Sequence, residues 1–267
     1  MGVFALAQGL TNVITKEVNP EEILDFIERY KINYALFVPA VILFLTQHPR
    51  INECDVSSLR KLFYGASPIA EDLLKQAQKL FGCEFYGLYG LTETTGAGTC
   101  LQPIDHVGKK LRSCGKPYPG IKVEVRDANG KPLPPEHVGE IVIQHGVLMK
   151  GYWNKPEATK EAIVDGWFQT GDAGYFDKDG FLYIHDRVKD MIVSGGENIY
   201  PAEIENALFA HTDIADVAVV GIPDDNWGES VLAFVVKASN VELSETAVID
   251  FAKTKIASYK VPKKIVF

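Results

Sequence analysis

The sequence predicts an α/β protein built in three consecutive parts: an α/β parallel-sheet part over 1–100, a small β-barrel-like part over 101–187 and a small α+β part over 188–267. Three observations predict it. Apolar strands alternate with amphipathic helices up to about residue 100, the pattern of a parallel sheet with crossover helices. Beyond that point, short strands of period two are separated by turns rich in Pro, Gly and charge. From Lys189 onward the order becomes short strand, glycine turn, helix, two strands and helix. The 267 residues, 46% of them hydrophobic and 23% charged, suffice for two or three packed units.

Taken in order, Asn19 is a cap for a helix over 20–30, in which Ile23, Leu24, Phe26, Ile27 and Tyr30 recur at helical spacing. A buried strand over 33–38 and a helix over 41–47 follow. The longest apolar run, 34–45, is interrupted by Pro39 and is too short to span a bilayer, so it reads as a strand leading into a helix. A strand over 59–64 ends at Gly65-Ala66-Ser67-Pro68, a helix covers 71–81, and a strand over 84–89 ends at the next glycine. Ligands of parallel sheets bind outside the carboxyl ends of the strands, so the loops after 64 and 89 are the candidate binding loops. Lys122-Val123-Glu124-Val125-Arg126 and Glu140-Ile141-Val142-Ile143-Gln144 alternate with period two, and Asn129-Gly130 and Asp179-Gly180 are turn signals. The last part reads as a helix over 201–210, strands over 217–220 and 231–237, a helix over 245–256 and an apolar end at Val266-Phe267.

Several classes of function are disfavoured. A net charge of -8 argues against a nucleic-acid partner, because neutralising phosphates takes clustered Lys and Arg. Cys54, Cys83, Cys100 and Cys114 form no CxxC pair and have no His at ligand spacing, which points to reduced thiols rather than a metal centre. The six histidines, His48, His106, His137, His145, His185 and His211, are equally scattered, and none is given a catalytic part. There is no Gly-x-Ser-x-Gly elbow for a Ser-His-Asp hydrolase. Met1-Gly2-Val3-Phe4 has neither a basic n-region nor a small-residue cleavage site, so no secretory leader is expected. The expected location is the cytoplasm, with peripheral contact to a membrane as the variant.

The candidate chemistry lies in a few short motifs. In Tyr89-Gly90-Leu91-Thr92-Glu93, an aromatic ring can stack on a base, a hydroxyl can donate to a phosphate and a carboxylate can ligate Mg2+. The plainer reading is a strand-end turn that starts a helix. Gly65, Ala66, Ser67 and Pro68 carry little side chain, so a flat ligand can approach their backbone, although such residues also make ordinary turns. Asp172, after Thr170-Gly171, can accept two ribose hydroxyls or serve only as a turn residue. The fork of Arg187 suits phosphate and ribose oxygens, the alternative being a salt bridge to Asp186 or Asp190.

In this order, Tyr89 to Glu93, Thr170-Gly171-Asp172, Asp186-Arg187-Val188-Lys189 and Ser194-Gly195-Gly196-Glu197-Asn198 resemble the second half of an AMP-forming acyl-CoA synthetase. That acyl-adenylate-forming superfamily also holds coumarate ligases, luciferases and peptide-synthetase adenylation domains. The resemblance implies that the loop at Gly65 to Pro68 is one wall of an adenine slot and that Tyr89 and Gly90 line it. It implies that Thr92 and Glu93 meet phosphate and Mg2+, that Asp172 and Arg187 meet the ribose, and that the small domain swings about Lys189. Gly195 and Gly196 would line a pantetheine channel, and so would Trp227, for which core packing or a loop anchor is the rival. Tyr259 and Lys263 would meet the CoA nucleotide, the rival being an ordinary solvated end. Val38, Pro39, Gly65, Ala66, Leu88 and Gly90 are either acyl-pocket lining or core.

The resemblance implies an acid-thiol ligase that uses ATP, Mg2+ and CoA, with AMP and pyrophosphate leaving. Tyr64 to Ile69 and Ile192 to Glu203 look most like fatty acyl-CoA synthetases, so a medium- or long-chain acid is the expected substrate. An aromatic acid, a carrier protein in place of CoA, and a nucleotide-binding module without turnover are the alternatives. Two family elements have no match in the sequence: the Ser/Thr/Gly-rich phosphate loop, and the Gly-Lys near the C-terminus whose lysine approaches the adenylate. The expectation is therefore a fragment, or a chain partnered by a separately encoded front half, with a homodimer as the other protein partner to consider.

Overall fold

The computed structural model describes residues 2–239 and 241–267, with the backbone alone at 2–4; Met1, on which the leader reading partly rests, lies outside them. The chain divides into two compact units. One comprises Met1–Val123, Ile143–Lys160 and Asp179–Tyr183, the other Glu124–Val142, Glu161–Lys178 and Ile184–Phe267.

The first unit opens with the short helix α1 (Gly2–Ala7) and continues with α2 (Pro20–Tyr30), whose bounds are those read from the sequence. Asn19 caps α2 as expected, its Oδ1 accepting from the backbone N–H of Glu21 and Glu22 at 3.0 and 3.4 Å. Ile23, Leu24 and Ile27 turn inward. Strand β1 (Tyr34–Phe37) leads into α3 (Pro39–Gln47), which starts two residues earlier than its apolar spacing suggests. Pro39 is the reason, since proline at the first helical position has a suitable φ and no N–H to satisfy. Strand β2 (Lys61–Gly65), helix α4 (Glu71–Phe81) and strand β3 (Glu84–Tyr89) follow. Helix α4 buries Leu74, Ala77 and Phe81, carries Glu71 and Asp72 in its first turn, and ends on Gly82 in the left-handed region.

Strands β1, β2 and β3 pair in parallel, as alternating strands and helices require. The sheet then departs from the all-parallel expectation. After β3 the chain turns back, and β4 (Thr99–Leu101) and β5 (Lys116–Pro117) extend the sheet antiparallel, in the order β1-β2-β3-β4-β5. Strand β4 has three buried residues and no alternation, so nothing in its pattern marks it. Leu24, Ile42, Leu45, Leu62, Leu74 and Phe85 form the centre of the core, each such side chain contributing about 1.5–3 kcal/mol on burial.

Next in the chain come β6 (Lys122–Arg126), β7 (Gly139–Gln144), α5 (Pro156–Ala162), β8 (Ile163–Val164), β9 (Trp167–Phe176) and β10 (Leu182–Arg187). Their strands form a sheet of order β10-β9-β7-β6, with β8 antiparallel to β9. Strand β9 is ten residues long, although Gly171 and Gly174 conceal it in the sequence.

The final sheet has the order β12-β11-β14-β13, with β15 on β14. It is built from β11 (Ile192–Ser194), β12 (Glu197–Ile199), β13 (Ile214–Asp224), β14 (Gly228–Lys237) and β15 (Lys264–Val266), with helices α6 (Pro201–Phe209) and α7 (Glu245–Lys253). Strands β13 and β14 make one long hairpin, where the sequence marked only 217–220 and 231–237. Gly221, Pro223 and the charges at its tip hide the remainder. Ile192, Ile199, Ile204, Leu208, Val248 and Ala252 pack as its core. Among the described residues no helix is long and apolar enough to cross a membrane.

Candidate active site

Strands β2 and β3 end side by side, with Gly65 in register with Leu88. A Cβ on Gly65 would lie 2.4 Å from the Leu88 carbonyl oxygen, so this position admits only glycine. Ala66 follows with φ 70°, and Ala66, Ser67 and Pro68 are exposed. The loop after β3 is folded on itself. A Cβ on Gly90 would meet the Gly96 carbonyl at 2.6 Å, and Gly96 N–H donates to Leu91 O at 2.8 Å. Tyr89 is buried at the strand end. Residues Thr92–Thr94 make one 3-10 turn, in keeping with the helix-start reading, but the side chain that secures it is Thr94 and not Thr92. Thr94 Oγ1 accepts from Leu91 N–H and donates to Leu91 O, both at 3.0 Å. Thr92 remains exposed, and none of the described residues takes its hydroxyl.

Glu93 has a partner that the sequence reading missed. Tyr152 donates its O–H to Glu93 Oε1 at 2.9 Å, and Met149 N–H donates to Glu93 O at 2.8 Å. Gly151-Tyr152 followed seven residues later by Thr159 is the local signal, since Thr159 Oγ1 accepts from Tyr152 N–H at 2.9 Å. Glu93 Oε2 carries no hydrogen bond among the described residues. A half-buried carboxylate oxygen of this kind suits a hard cation that takes one or two protein ligands and keeps its remaining positions for phosphate and water. The described residues contain no cluster of three or more His, Cys, Asp or Glu that would cage a metal by themselves.

In the second unit, Asp172 and Arg187 face each other from β9 and β10. Arg187 Nε donates to Asp172 Oδ1 at 3.0 Å, and its Nη1 to Thr170 O at 3.4 Å. This replaces the salt bridge to Asp186 or Asp190 considered from the sequence. Asp186 is engaged elsewhere, accepting from the N–H of Arg187 at 2.7 Å and of Ala202 at 2.8 Å, where it caps α6. Thr170 Oγ1 donates to Ile141 O at 2.7 Å and accepts from Asp172 N–H at 3.1 Å, while Gly171 N–H donates to Glu140 Oε1 at 3.2 Å. These bonds, around the positive φ of Gly171 (70°) within β9, hold Asp172 in a buried position.

Lys189 is exposed in the 3-10 turn Val188–Asp190 between β10 and β11, an element-terminal place able to absorb rotation. Gly195 and Gly196 are the two central residues of the β11–β12 hairpin, both with positive φ, as a two-residue turn of this hand requires. The structure brings Trp227 onto this turn. Gly195 N–H donates to Trp227 O at 2.8 Å, and the ring lies against the glycine with 54% of the residue exposed, which excludes core packing. Tyr259 is exposed in the 3-10 turn Ser258–Lys260, and Lys263 is exposed beside β15. The neighbouring Lys260 is the fixed one, donating to both oxygens of Glu203 at 2.7 Å.

Comparison with known proteins decides the family. Residues 2–153 match the model of the AMP-binding enzyme family, and residues 203–267 match that of the AMP-binding enzyme C-terminal domain. The chain belongs to the AMP-binding enzyme family. Within it, the chain is 42% identical over 261 residues to the fatty acid–[acyl-carrier-protein] ligase ScoC of Streptomyces coeruleorubidus, covering 97% of this chain and 50% of that protein. It is 38% identical over 262 residues to a feruloyl-CoA synthase of an Amycolatopsis species, covering 98% and 53%. The ATP-bound crystal structure of MatB from Rhodopseudomonas palustris superposes with a TM-score of 0.86 at 31% identity, covering 98% of this chain and 52% of that one. The chain thus spans about half the length of the AMP-binding enzymes it matches, and its mixed α/β fold is that half.

Proposed function

We propose that the protein acts as an acid-thiol ligase, activating a medium- or long-chain fatty acid with ATP and passing the acyl group to CoA. The observation that carries this reading is the placement of two loops at neighbouring strand ends of β2 and β3. One of them, 65–68, lacks bulk, and the other, 89–93, carries a ring, a hydroxyl and a carboxylate. On this reading Gly65, Ala66, Ser67, Pro68, Tyr89 and Gly90 hold the adenine, while Thr92 donates to a phosphate. Asp172 accepts the ribose hydroxyls and Arg187, already paired to it, reaches the phosphate side. A Mg2+ ion held by Glu93 would neutralise phosphate charge.

The reaction has two halves. The substrate carboxylate attacks the α-phosphorus and pyrophosphate leaves. The CoA thiol, losing its proton, then attacks the acyl carbon and AMP leaves. Neither half requires a covalent bond to the protein, so rate comes from positioning and from opposing the charge that develops. Lys189 serves as the hinge between parts 1–187 and 188–267, the former divided near residue 100. Gly195, Gly196 and Trp227 line the thiol path, and Tyr259 and Lys263 meet the CoA nucleotide. The test joins this chain to a segment carrying a Ser/Thr/Gly-rich phosphate loop and measures acid-dependent ATP–pyrophosphate exchange. Exchange that persists unchanged in Glu93→Ala and Asp172→Ala removes the assignment.

A second reading takes a carrier protein as the thiol. It is motivated by ScoC, an acyl-carrier-protein ligase, standing beside the feruloyl-CoA synthase among the relatives. Those two relatives also differ in acid, one fatty and one feruloyl. Thioester yields with CoA and with a phosphopantetheine carrier, for a C12 acid and for a cinnamic acid, separate the four combinations.

A further inference from the structure

We infer that Tyr152 is a positioning residue for Glu93, its phenol dictating which carboxylate oxygen is presented to a divalent cation. The inference rests on the reading of Glu93 as the metal ligand and extends it to a residue outside every motif above. A half-buried glutamate on a 3-10 turn has three side-chain torsions and two equivalent oxygens. The O–H of Tyr152 occupies Oε1 at 2.9 Å and leaves Oε2 as the oxygen without a partner among the described residues.

Tyr152 is itself held from behind. Gly151 has φ 150°, and a Cβ there would lie 2.8 Å from Thr159 Cγ2, so the chain passes Thr159 at a distance only glycine allows. Thr159 Oγ1 accepts from Tyr152 N–H and donates to Lys155 O at 2.8 Å, and Lys155 N–H donates to Tyr152 O at 3.2 Å. The same segment is fastened to the 92–95 turn by Met149 N–H to Glu93 O and by Thr95 Oγ1 to Val147 O at 2.6 Å. Of these contacts, only the phenol reaches the carboxylate. Tyr152 is also 36% exposed and absent from the core, so its ring is not there to fill space. An outer partner that orients a metal-ligating side chain commonly changes metal affinity by about 10–100-fold when removed.

The test uses this chain as wild type, Tyr152→Phe, Glu93→Gln and the double variant. Mn2+ is the probe, titrated in the presence of ATP and followed by its electron paramagnetic resonance signal. Calorimetry with metal-free AMP is the control. Tyr152→Phe is expected to weaken Mn2+ binding about tenfold, to leave AMP binding and the melting temperature unchanged, and to add nothing to the loss seen in Glu93→Gln. Full Mn2+ affinity in Tyr152→Phe, with affinity lost in Glu93→Gln, overturns the positioning role and spares the metal reading. A wild-type chain that takes no Mn2+ with ATP, or a Glu93→Gln chain that keeps it, overturns the metal reading itself.

Discussion

Gly195 and Trp227 are separated by 32 residues in sequence and touch in the fold: a Cβ built on the glycine would sit 2.7 Å from Trp227 Cε3. Gly196, next in the same turn, has nothing within 4 Å of its missing Cβ. Both have positive φ, so alanine at either costs about 1–2 kcal/mol of backbone strain. Only Gly195→Ala must also displace the indole. Its melting temperature should fall further than that of Gly196→Ala, and its tryptophan emission should shift. Equal behaviour of the two variants would refute the contact.

The Asp172–Arg187 pair gives the second prediction. The Arg187 side chain is half exposed, so solvent screens the pair and it contributes at most about 1 kcal/mol to stability. Asp172→Asn should leave the melting temperature within a few degrees. It should weaken AMP binding by about tenfold or more, the scale of a lost charge-assisted hydrogen bond. Unchanged AMP affinity by calorimetry would dismiss the ribose role.

His106 gives a pH dependence. Its Nδ1 lies 2.8 Å from the Gln102 carbonyl, which can only accept, so Nδ1 carries the proton and Nε2 accepts from Tyr64 O–H at 3.0 Å. Burial drives its pKa below the ordinary 6.5. Above 6.5 neither folded nor unfolded chain binds this proton. As pH falls below 6.5 the unfolded chain takes it up first, so stability declines until the folded imidazole also protonates. His185, shifted in the same direction by burial, adds to the slope. Urea midpoints measured from pH 7.5 to 5 should fall, and His106→Gln should flatten part of that fall. At pH 7.5, Tyr64→Phe, which leaves Nε2 unpaired, should cost about 1–3 kcal/mol.

Lys260 and Glu203 tie the 3-10 turn Ser258–Lys260 to α6, with side chains 16% and 29% exposed. Removing one partner leaves a partly buried charge. Lys260→Ala should therefore destabilise by about 1–3 kcal/mol, whereas the double replacement Glu203→Leu with Lys260→Met should recover most of the loss. A denaturation-based double-mutant cycle with no coupling between the two sites would show the pair to be inert.

Helices α2 and α4 and strand β3 were legible to the residue because an apolar period meets a clear boundary there: the Asn19 cap before α2, Gly82 after α4 and Gly90 after β3. The hidden elements are those where a single periodicity is broken for a local reason. Glycines interrupt β9, Pro223 interrupts β13, and β4 is too short and too buried to alternate. Among candidate site residues, Tyr89, Thr92, Glu93, Asp172 and Arg187 could be picked out because their chemistry is concentrated in short motifs. The Glu93–Tyr152 contact spans 59 residues and the Gly195–Trp227 contact spans 32, and no spacing rule encodes a contact made only once the chain has returned. The Asp172–Arg187 pair lay between: both residues were visible, but their pairing waited on β9 lying beside β10.

The long β13–β14 hairpin also carries a kinetic consequence. Its pairs run from Asp224 with Gly228 out to Ile214 with Lys237, so each closes a loop no longer than those before it have prepared. Strand β15, by contrast, pairs in parallel with β14 at Leu232 and Lys264, and only after helix α7 has crossed between them. Hairpins form in about 1–10 μs, so β13 and β14 should zip first and offer Leu232 to Phe234 as a ready edge for the last strand. Pulse-labelled hydrogen exchange during refolding should accordingly protect the Val220 and Leu232 amides, which face each other across the hairpin, before that of Lys263, which donates to Val231 O at 2.8 Å.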